Sequence, residues 1–180
     1  MKVYTVKNRK EIIAGYLAEK VIIVPTDTIY GMTCIISSPV AKARIFKVKR
    51  RSEKMYLSVI VSSVRMAKNF IDLPRDDLKL FKKNETITII IGNIKDDINK
   101  LYNITEDNTI GIRITKSKWL KKIINKVGPI YGTSVNISGQ NYAKEFNDLQ
   151  KFNVDIIVDA GYLDNRPSKI YNSLTKEFIR

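Results

Sequence analysis

Histidine is absent from these 180 residues, and cysteine occurs once, as Cys34. Without imidazole there is no Ser-His-Asp or Cys-His nucleophile and no histidine metal ligand or proton shuttle. A single cysteine excludes an intrachain disulfide and a thiolate zinc cluster. In the run Met32-Thr33-Cys34-Ile35-Ile36 it reads as a small buried hydrophobe. No apolar run approaches the length of a membrane span, and the N-terminus lacks the apolar stretch of a signal peptide. A reducing, cytoplasmic setting with no membrane partner is therefore expected. Neither G-x-x-x-x-G-K-S/T nor G-x-G-x-x-G occurs, so any nucleotide must be held by side chains and ordinary strand-end backbone. Acidic residues are few beside basic ones, 18 against 32, for a formal net charge of +14. That charge favours anionic partners. The lysines are scattered and the chain is rich in Ile, Lys and Asn, so compositional bias accounts for the charge equally well.

What is present alternates between strand and helix patterns. Met1 to Val6 reads as a short edge strand. Asn8 has the spacing of a helix cap, and Ile12, Ile13, Tyr16 and Leu17 fall on one face of a helix over 9–20. Val21 to Val24 is an unbroken β run that Pro25 should end. A strand over 32–36 leads to Ser38, a cap, and Pro39, suited to a first helical turn. That helix runs to about Lys49, with Val40, Ala43, Ile45, Phe46 and Val48 largely on one side. Strands follow at 57–61, 86–91, 109–114, 130–134, 154–159, 168–171 and 177–180. Helices are expected at 64–71, 76–83, 116–127 and near 148–152, and 92–108 reads as a loop. The helix over 116–127 carries Trp119, Leu120, Ile123 and Ile124 on its inner face. No repeat or low-complexity linker divides the chain, so residues 1–180 read as one α/β domain around a mixed sheet.

Four stretches offer chemistry. Thr26 to Gly31 places hydroxyls, a carboxylate and a phenol at the end of a strand, where a ligand crevice of an open α/β sheet would lie; an ordinary turn would use similar residues. Lys49 and Arg51 can neutralise a polyphosphate, or simply serve the C-terminal dipole of their helix. Arg113, between Ile112 and Ile114, needs a partner in a strand interior, either a substrate carboxylate or a protein acid. Thr133 to Gly139 packs hydroxyls and an amide into an array able to read a base edge or a phosphate.

In this order the stretches resemble the YrdC-like family, the threonylcarbamoyl-AMP synthases. Pro25 to Met32 follow the pattern P-T-D-T-x-Y-G-L, with Met32 in place of leucine. Lys49-Arg50-Arg51 follow K-x-R. Gly111 to Ile114 follow G-x-R-x-P, with Thr115 replacing the proline. Thr133 to Gly139 follow T-S-A-N-x-S-G, with Val135 for alanine. Val158 to Gly161 and Pro167-Ser168 follow V-D-x-G and P-S-T, with Lys169 for threonine. The matches run from residue 21 to 171. Ser52 and Tyr56 stand where the family has prolines, and Lys82 to Thr88 depart from its tryptophan and P-G-P-x-T element. The chain resembles the short form without an added C-terminal domain.

The resemblance implies a twisted mixed α/β sheet around a basic cleft, and a reaction. ATP, L-threonine and bicarbonate give threonylcarbamoyl-adenylate and pyrophosphate, and separate transferase proteins pass the group to adenosine beside certain tRNA anticodons. It further implies that Lys49 and Arg51 neutralise the triphosphate, that Ser134, Asn136 and Ser138 hold the nucleotide with Thr88 as a further candidate, and that Thr28, Tyr30 and Arg113 orient threonine, with Ser168 closing the site. Mg²⁺ is expected on the ATP; metal ligands are not assigned. Neither chemical step needs histidine or a cysteine nucleophile, since in-line displacement depends mainly on positioning and charge neutralisation. The competing expectation is a non-catalytic module that binds tRNA or ribosomal RNA in the same basic cleft. A second is a related adenylate-forming enzyme with another acceptor.

Overall fold

Strand β2, Ile22–Pro25, runs through the molecule with its apolar side chains divided between two cores, as a strand buried on both faces requires. The structure is a computed structural model. It describes residues 1–52, 55, 57–72, 74–82, 88–102 and 104–179, excepting the side chains of 81, 82, 88 and 89. The other strands are β1 Lys2–Thr5, β3 Tyr30–Ile35, β4 Ser58–Val61, β5 Thr88–Asn93, β6 Thr109–Ile114, β7 Ile130–Ser134, β8 Ile156–Asp159, β9 Lys169–Asn172 and β10 Glu177–Phe178. The helices are α1 Arg9–Leu17, α2 Pro39–Lys49, α3 Val64–Ala67, α4 Arg75–Lys82, α5 Asp96–Tyr102, α6 Lys118–Val127 and α7 Phe146–Leu149.

The strands form one mixed sheet in the order β1-β8-β2-β3-β7-β4-β6-β5-β9-β10. Strand β8 lies between β1 and β2 and runs parallel to both, with Ile156 in register with Lys2 on one side and Ile22 on the other. Residues alternate between faces, as the pleat demands. Ile23, Met32, Cys34, Val59, Val61, Ile112 and Tyr131 face a core closed by Ala41, Ile45 and Phe46 of α2. Ile22, Val24, Ile60, Ile130, Ile156 and Val158 face a second core closed by Ile12 and Tyr16 of α1 and Leu120, Ile123, Ile124 and Val127 of α6.

Helices α1 and α6 cover only part of this second face. Continuing along the same side of the sheet, the positions are Gly31, Gly132, Ser134, Ser58, Gly111, Arg113, Thr109, Ile91 and Ile170, and all of them line a cleft of about 650 Å³. Glycine, serine and threonine at strand positions leave the floor shallow. Gly132 is needed there, because a Cβ would stand 2.3 Å from Ile60 Cδ1.

Several sequence expectations change. Asn8 precedes α1, but its side chain accepts from Thr5 N and Thr5 Oγ1 instead of capping the helix. Leu17 and Val40 point to solvent. Helix α3 ends at Ala67, short of Ile71, and α7 starts two residues before Asp148 and ends at Leu149, short of Phe152. The polar stretch 92–108 contains the end of β5 and all of α5, no residue of which is buried. Ile98 and Tyr102 of α5 pack, partly buried, against the first core, and one such pair is too short a stripe to stand out as an apolar period. Thr86, Ile87, Lys83, Tyr56 and Arg180 lie outside the described residues.

Candidate active site

The turn after β2 builds one wall. Thr26 Oγ1 donates to Ile29 O at 2.6 Å and accepts from Thr28 N at 3.1 Å, a local hydroxyl turn that replaces backbone pairing where Pro25 ends the strand. Arg113 reaches this turn from β6. Its Nη2 donates to Asp27 Oδ1 at 2.7 Å, to Thr28 Oγ1 at 2.9 Å and to Thr26 Oγ1 at 3.3 Å. The partner of this buried arginine is thus a protein carboxylate, one of the two alternatives open from the sequence. Burial lowers the Arg113 pKa, opposed by the charge of Asp27. Its Nε is buried with no acceptor among the described residues.

The C-terminus of α2 builds the opposite wall. Ser38 Oγ accepts from Ala41 N and Pro39 fills the first turn, as expected. The helix ends on Arg50 in the left-handed region (φ 50, ψ 44), a position that usually falls to glycine. Lys49 turns inward and is 2 % exposed. Its Nζ donates to Ser134 O at 2.5 Å, Asn136 O at 2.9 Å and Asn136 Oδ1 at 2.7 Å. Desolvation, with the charge of Arg51 beside it, lowers its pKa to about 8. Ser134 Oγ donates to the same Asn136 Oδ1 at 2.7 Å, and Asn136 Nδ2 donates to Gln140 O at 2.8 Å. Arg51 lines the cleft, its pKa lowered by burial.

The connection from β8 to β9 forms the rim. Residues 160–168 pass from the second strand at one edge of the sheet to the second at the other, with six strands between. Tyr30 anchors this strap: its hydroxyl donates to Gly161 O at 2.7 Å and accepts from Ala160 N at 2.9 Å. Gly161 takes φ +76, which favours glycine. Farther on, Leu163 N donates to Lys144 O, and Asp164 accepts from Tyr142, Tyr162 and Lys144. The strap ends in Pro167 and Ser168, both in the cleft wall.

One cleft therefore gathers Thr28, Tyr30, Arg51, Arg113, Ser134, Asn136 and Ser168 from five separate parts of the sequence. Lys49 lies behind its wall. Ser138 is exposed outside the lining and meets the site only through its backbone, Ser138 N donating to Lys49 O at 3.0 Å. The backbone of Thr88 pairs with Lys169, next to Ser168; its side chain lies outside the description. Thr26 and Pro167, within stretches that the sequence singled out, also line the cleft, whereas Gln140 and Tyr142 in the lining were missed. Asp27 was also missed as the partner of Arg113. Gln140 and Tyr142 follow directly on the 133–139 array, and that adjacency was the available signal.

The model of the Sua5/YciO/YrdC family, described as "Telomere recombination", matches residues 16–180. The chain belongs to this family. Over 194 aligned positions it is 28% identical to the threonylcarbamoyl-AMP synthase of Wigglesworthia glossinidia brevipalpis, covering 100% of this chain and 99% of that protein. It spans about half the length of the mouse and cattle proteins of the same name. The fold matches P. abyssi Sua5 complexed with L-threonine at a TM-score of 0.85 and 17% identity, covering 97% of this chain and 55% of that one. It matches E. coli YciO at a TM-score of 0.84 and 17% identity, covering 99% and 92%. These likenesses accord with the expected α/β fold. The non-catalytic RNA module draws no support from them.

Proposed function

We propose that this chain is a threonylcarbamoyl-AMP synthase, a nucleotidyltransferase that joins ATP, L-threonine and bicarbonate into threonylcarbamoyl-adenylate with release of pyrophosphate. The observation that carries the reading is the polarity of the cleft. A buried arginine whose Nε has no acceptor among the described residues stands on one wall, and a second arginine beside a serine–asparagine pair stands on the other. The first arrangement suits an amino-acid carboxylate and the second a polyphosphate.

In this reading Arg113 and Thr28 orient threonine, and Ser168 borders that half of the site. The threonine amine attacks carbon dioxide derived from bicarbonate. The resulting carbamate oxygen then attacks the α-phosphorus of ATP while the bond to the β-phosphate oxygen breaks and pyrophosphate leaves. Arg51 neutralises the departing phosphates and Ser134 and Asn136 hold the nucleotide. Lys49 acts behind them, fixing the carbonyls of Ser134 and Asn136 and the side chain of Asn136. Tyr30 supports the strap, which rims the site. Ser138 and Thr88 stay with the nucleotide half as weaker members. Among the described residues no group of three His, Cys, Asp or Glu could hold a metal ion; Mg²⁺ would come bound to ATP and would supply charge neutralisation at its phosphates beside Arg51. No helix among the described residues is long and apolar enough to cross a membrane. The reading includes a cytoplasmic setting, downstream transferase proteins that accept the adenylate, and contact with tRNA or other RNA through the basic surface.

Pyrophosphate release with ATP, bicarbonate and L-threonine tests it. Release that requires threonine is expected, and release independent of threonine points to another acceptor. No release combined with salt-sensitive tRNA binding favours the RNA module. Arg51→Ala should lower kcat by about 10²–10³-fold, the usual cost of removing a donor to developing charge. Full turnover by that variant removes Arg51 from the phosphate role.

A further inference from the structure

Asp27 has no counterpart among the groups expected to touch substrate, yet its carboxylate accepts three hydrogen bonds in the cleft wall. Its side chain is 10% exposed. Oδ1 accepts from Arg113 Nη2 at 2.7 Å and from Thr115 Oγ1 at 3.0 Å; Oδ2 accepts from Lys116 N at 2.6 Å. An aspartate facing a guanidinium commonly pairs through both oxygens, which occupies the whole fork. Here the backbone N–H of Lys116 holds Oδ2 back, so the pair meets end-on through a single nitrogen. The arginine is thus oriented without being consumed, because its contacts to Asp27, Thr28 and Thr26 all run through Nη2.

Thr115 tightens the arrangement. It is fully buried, its N–H donates to Val61 O, and its hydroxyl also accepts from Ser117 N. Ser117 in turn caps α6 by accepting from Leu120 N. Asp27 therefore joins the turn after β2 to the start of α6 through the end of β6, the strand that carries Arg113. Thr115 stands where the family pattern has proline, and proline has no hydroxyl to donate.

We propose that Asp27, assisted by Thr115, is the positioning residue of the amino-acid half of the cleft: it fixes Arg113 end-on so that the remaining guanidinium donors meet the carboxylate of the acceptor amino acid. This rests on the synthase reading, in which Arg113 binds threonine.

In Asp27→Asn the amide cannot serve all three donors, because one of its two heavy atoms becomes a donor facing a donor. The Michaelis constant for L-threonine should rise on the order of 10- to 100-fold, the scale of a lost hydrogen bond to a charged group. The constant for ATP should stay within about twofold, since the nucleotide is held on the opposite wall. Thr115→Val, close in shape, should raise the threonine constant several-fold with an unfolding midpoint near wild type, and Thr115→Ser should restore it. These two variants decide the matter if Asp27→Asn does not fold. Equal losses for threonine and ATP, a fall in kcat alone, or identical behaviour of Thr115→Val and Thr115→Ser would each overturn the proposal. Wild type is assayed first. Absence of threonine-dependent pyrophosphate release there counts against the synthase reading, and calorimetric titration of the same proteins with L-threonine then tests Asp27 directly. No heat with wild type overturns both.

Discussion

Lys49 carries its charge in a place with little water, and three oxygens of the 134–136 segment surround it. Burial favours the neutral amine, and the positive charge of Arg51 beside it acts in the same direction. Together they put its pKa at about 8, against 10.5 for a free lysine. The sign of the consequence differs for stability and activity. Between these values the unfolded chain binds more protons than the folded one, so linkage makes the folded state gain stability as pH rises through this window. Over the same window the ammonium loses a proton and one of its three donors, and the Ser134–Asn136 wall loosens. A pH–rate profile should therefore fall above about pH 8 while the chemical-denaturation midpoint does not fall with it. A rate flat to pH 9.5 would mean that the Lys49 charge is not what holds the wall. Tyr30 offers a second test at this scale. Removing the hydroxyl in Tyr30→Phe leaves Gly161 O and Ala160 N without their partner and should cost about 1–3 kcal/mol. Limited proteolysis in the strap should accelerate, and unchanged protection would show that the other contacts suffice.

At the scale of elements, α2 depends on its first residues. Ser38 Oγ both accepts from Ala41 N and donates to Glu19 Oε2 at 2.8 Å, so it ties the start of α2 to the end of α1. Ser38→Ala should cost about 1–2 kcal/mol in denaturant unfolding, the range of lost caps. The cleft floor gives a sharper case. Gly132→Ala meets Ile60 Cδ1 and should destabilise by about 1–3 kcal/mol through overpacking. Adding Ile60→Val should recover part of that loss, a non-additivity a double-mutant cycle reads directly. These elements also show what sequence reveals. Ser38-Pro39, the β run ending at Pro25 and the alternation around Arg113 announce themselves because their signals are local. Helix α5 does not, since only the pair Ile98 and Tyr102 packs against the core and the rest of it is polar. Asp27 does not either: its partners lie 86–89 residues away, and nothing in Thr26-Asp27-Thr28 distinguishes a turn carboxylate from one that grips an arginine. The three acceptors around Lys49 Nζ, 85–87 residues away, were hidden for the same reason. A basic residue at a helix end reads as solvated until the fold shows it turned inward.

Across the whole molecule, the two cores divide stability from function. The face closed by α2 is apolar at nearly every strand position, whereas the opposite face is apolar under α1 and α6 and small or polar beyond them. Substitutions in the first core should therefore lower stability with little selectivity between substrates. Those at the polar positions of the cleft floor, Ser58, Thr109 and Ser134, should alter substrate constants before stability, unlike Gly132, which abuts Ile60. Cys34 belongs to the first group: burial pushes its thiol up to about 12, so it should resist alkylation in the native state and react only on unfolding. Rapid labelling of the folded protein would contradict this.

The place of β8 also sets a schedule for biosynthesis. Ile156 is the register partner of both Lys2 and Ile22, so the first two strands of the chain share a neighbour that the ribosome makes only after β3 to β7. At about 5–20 residues per second, roughly 7–30 s separate the synthesis of Ile22 from that of Ile156. For that interval the apolar edge of β2 that will receive β8 has no strand beside it. Nascent chains stalled before residue 154 should expose Val21 to Val24 to amide exchange and to chaperones, and extension past Asp159 should protect them. This protein's most buried early strand is thus its most vulnerable segment during translation.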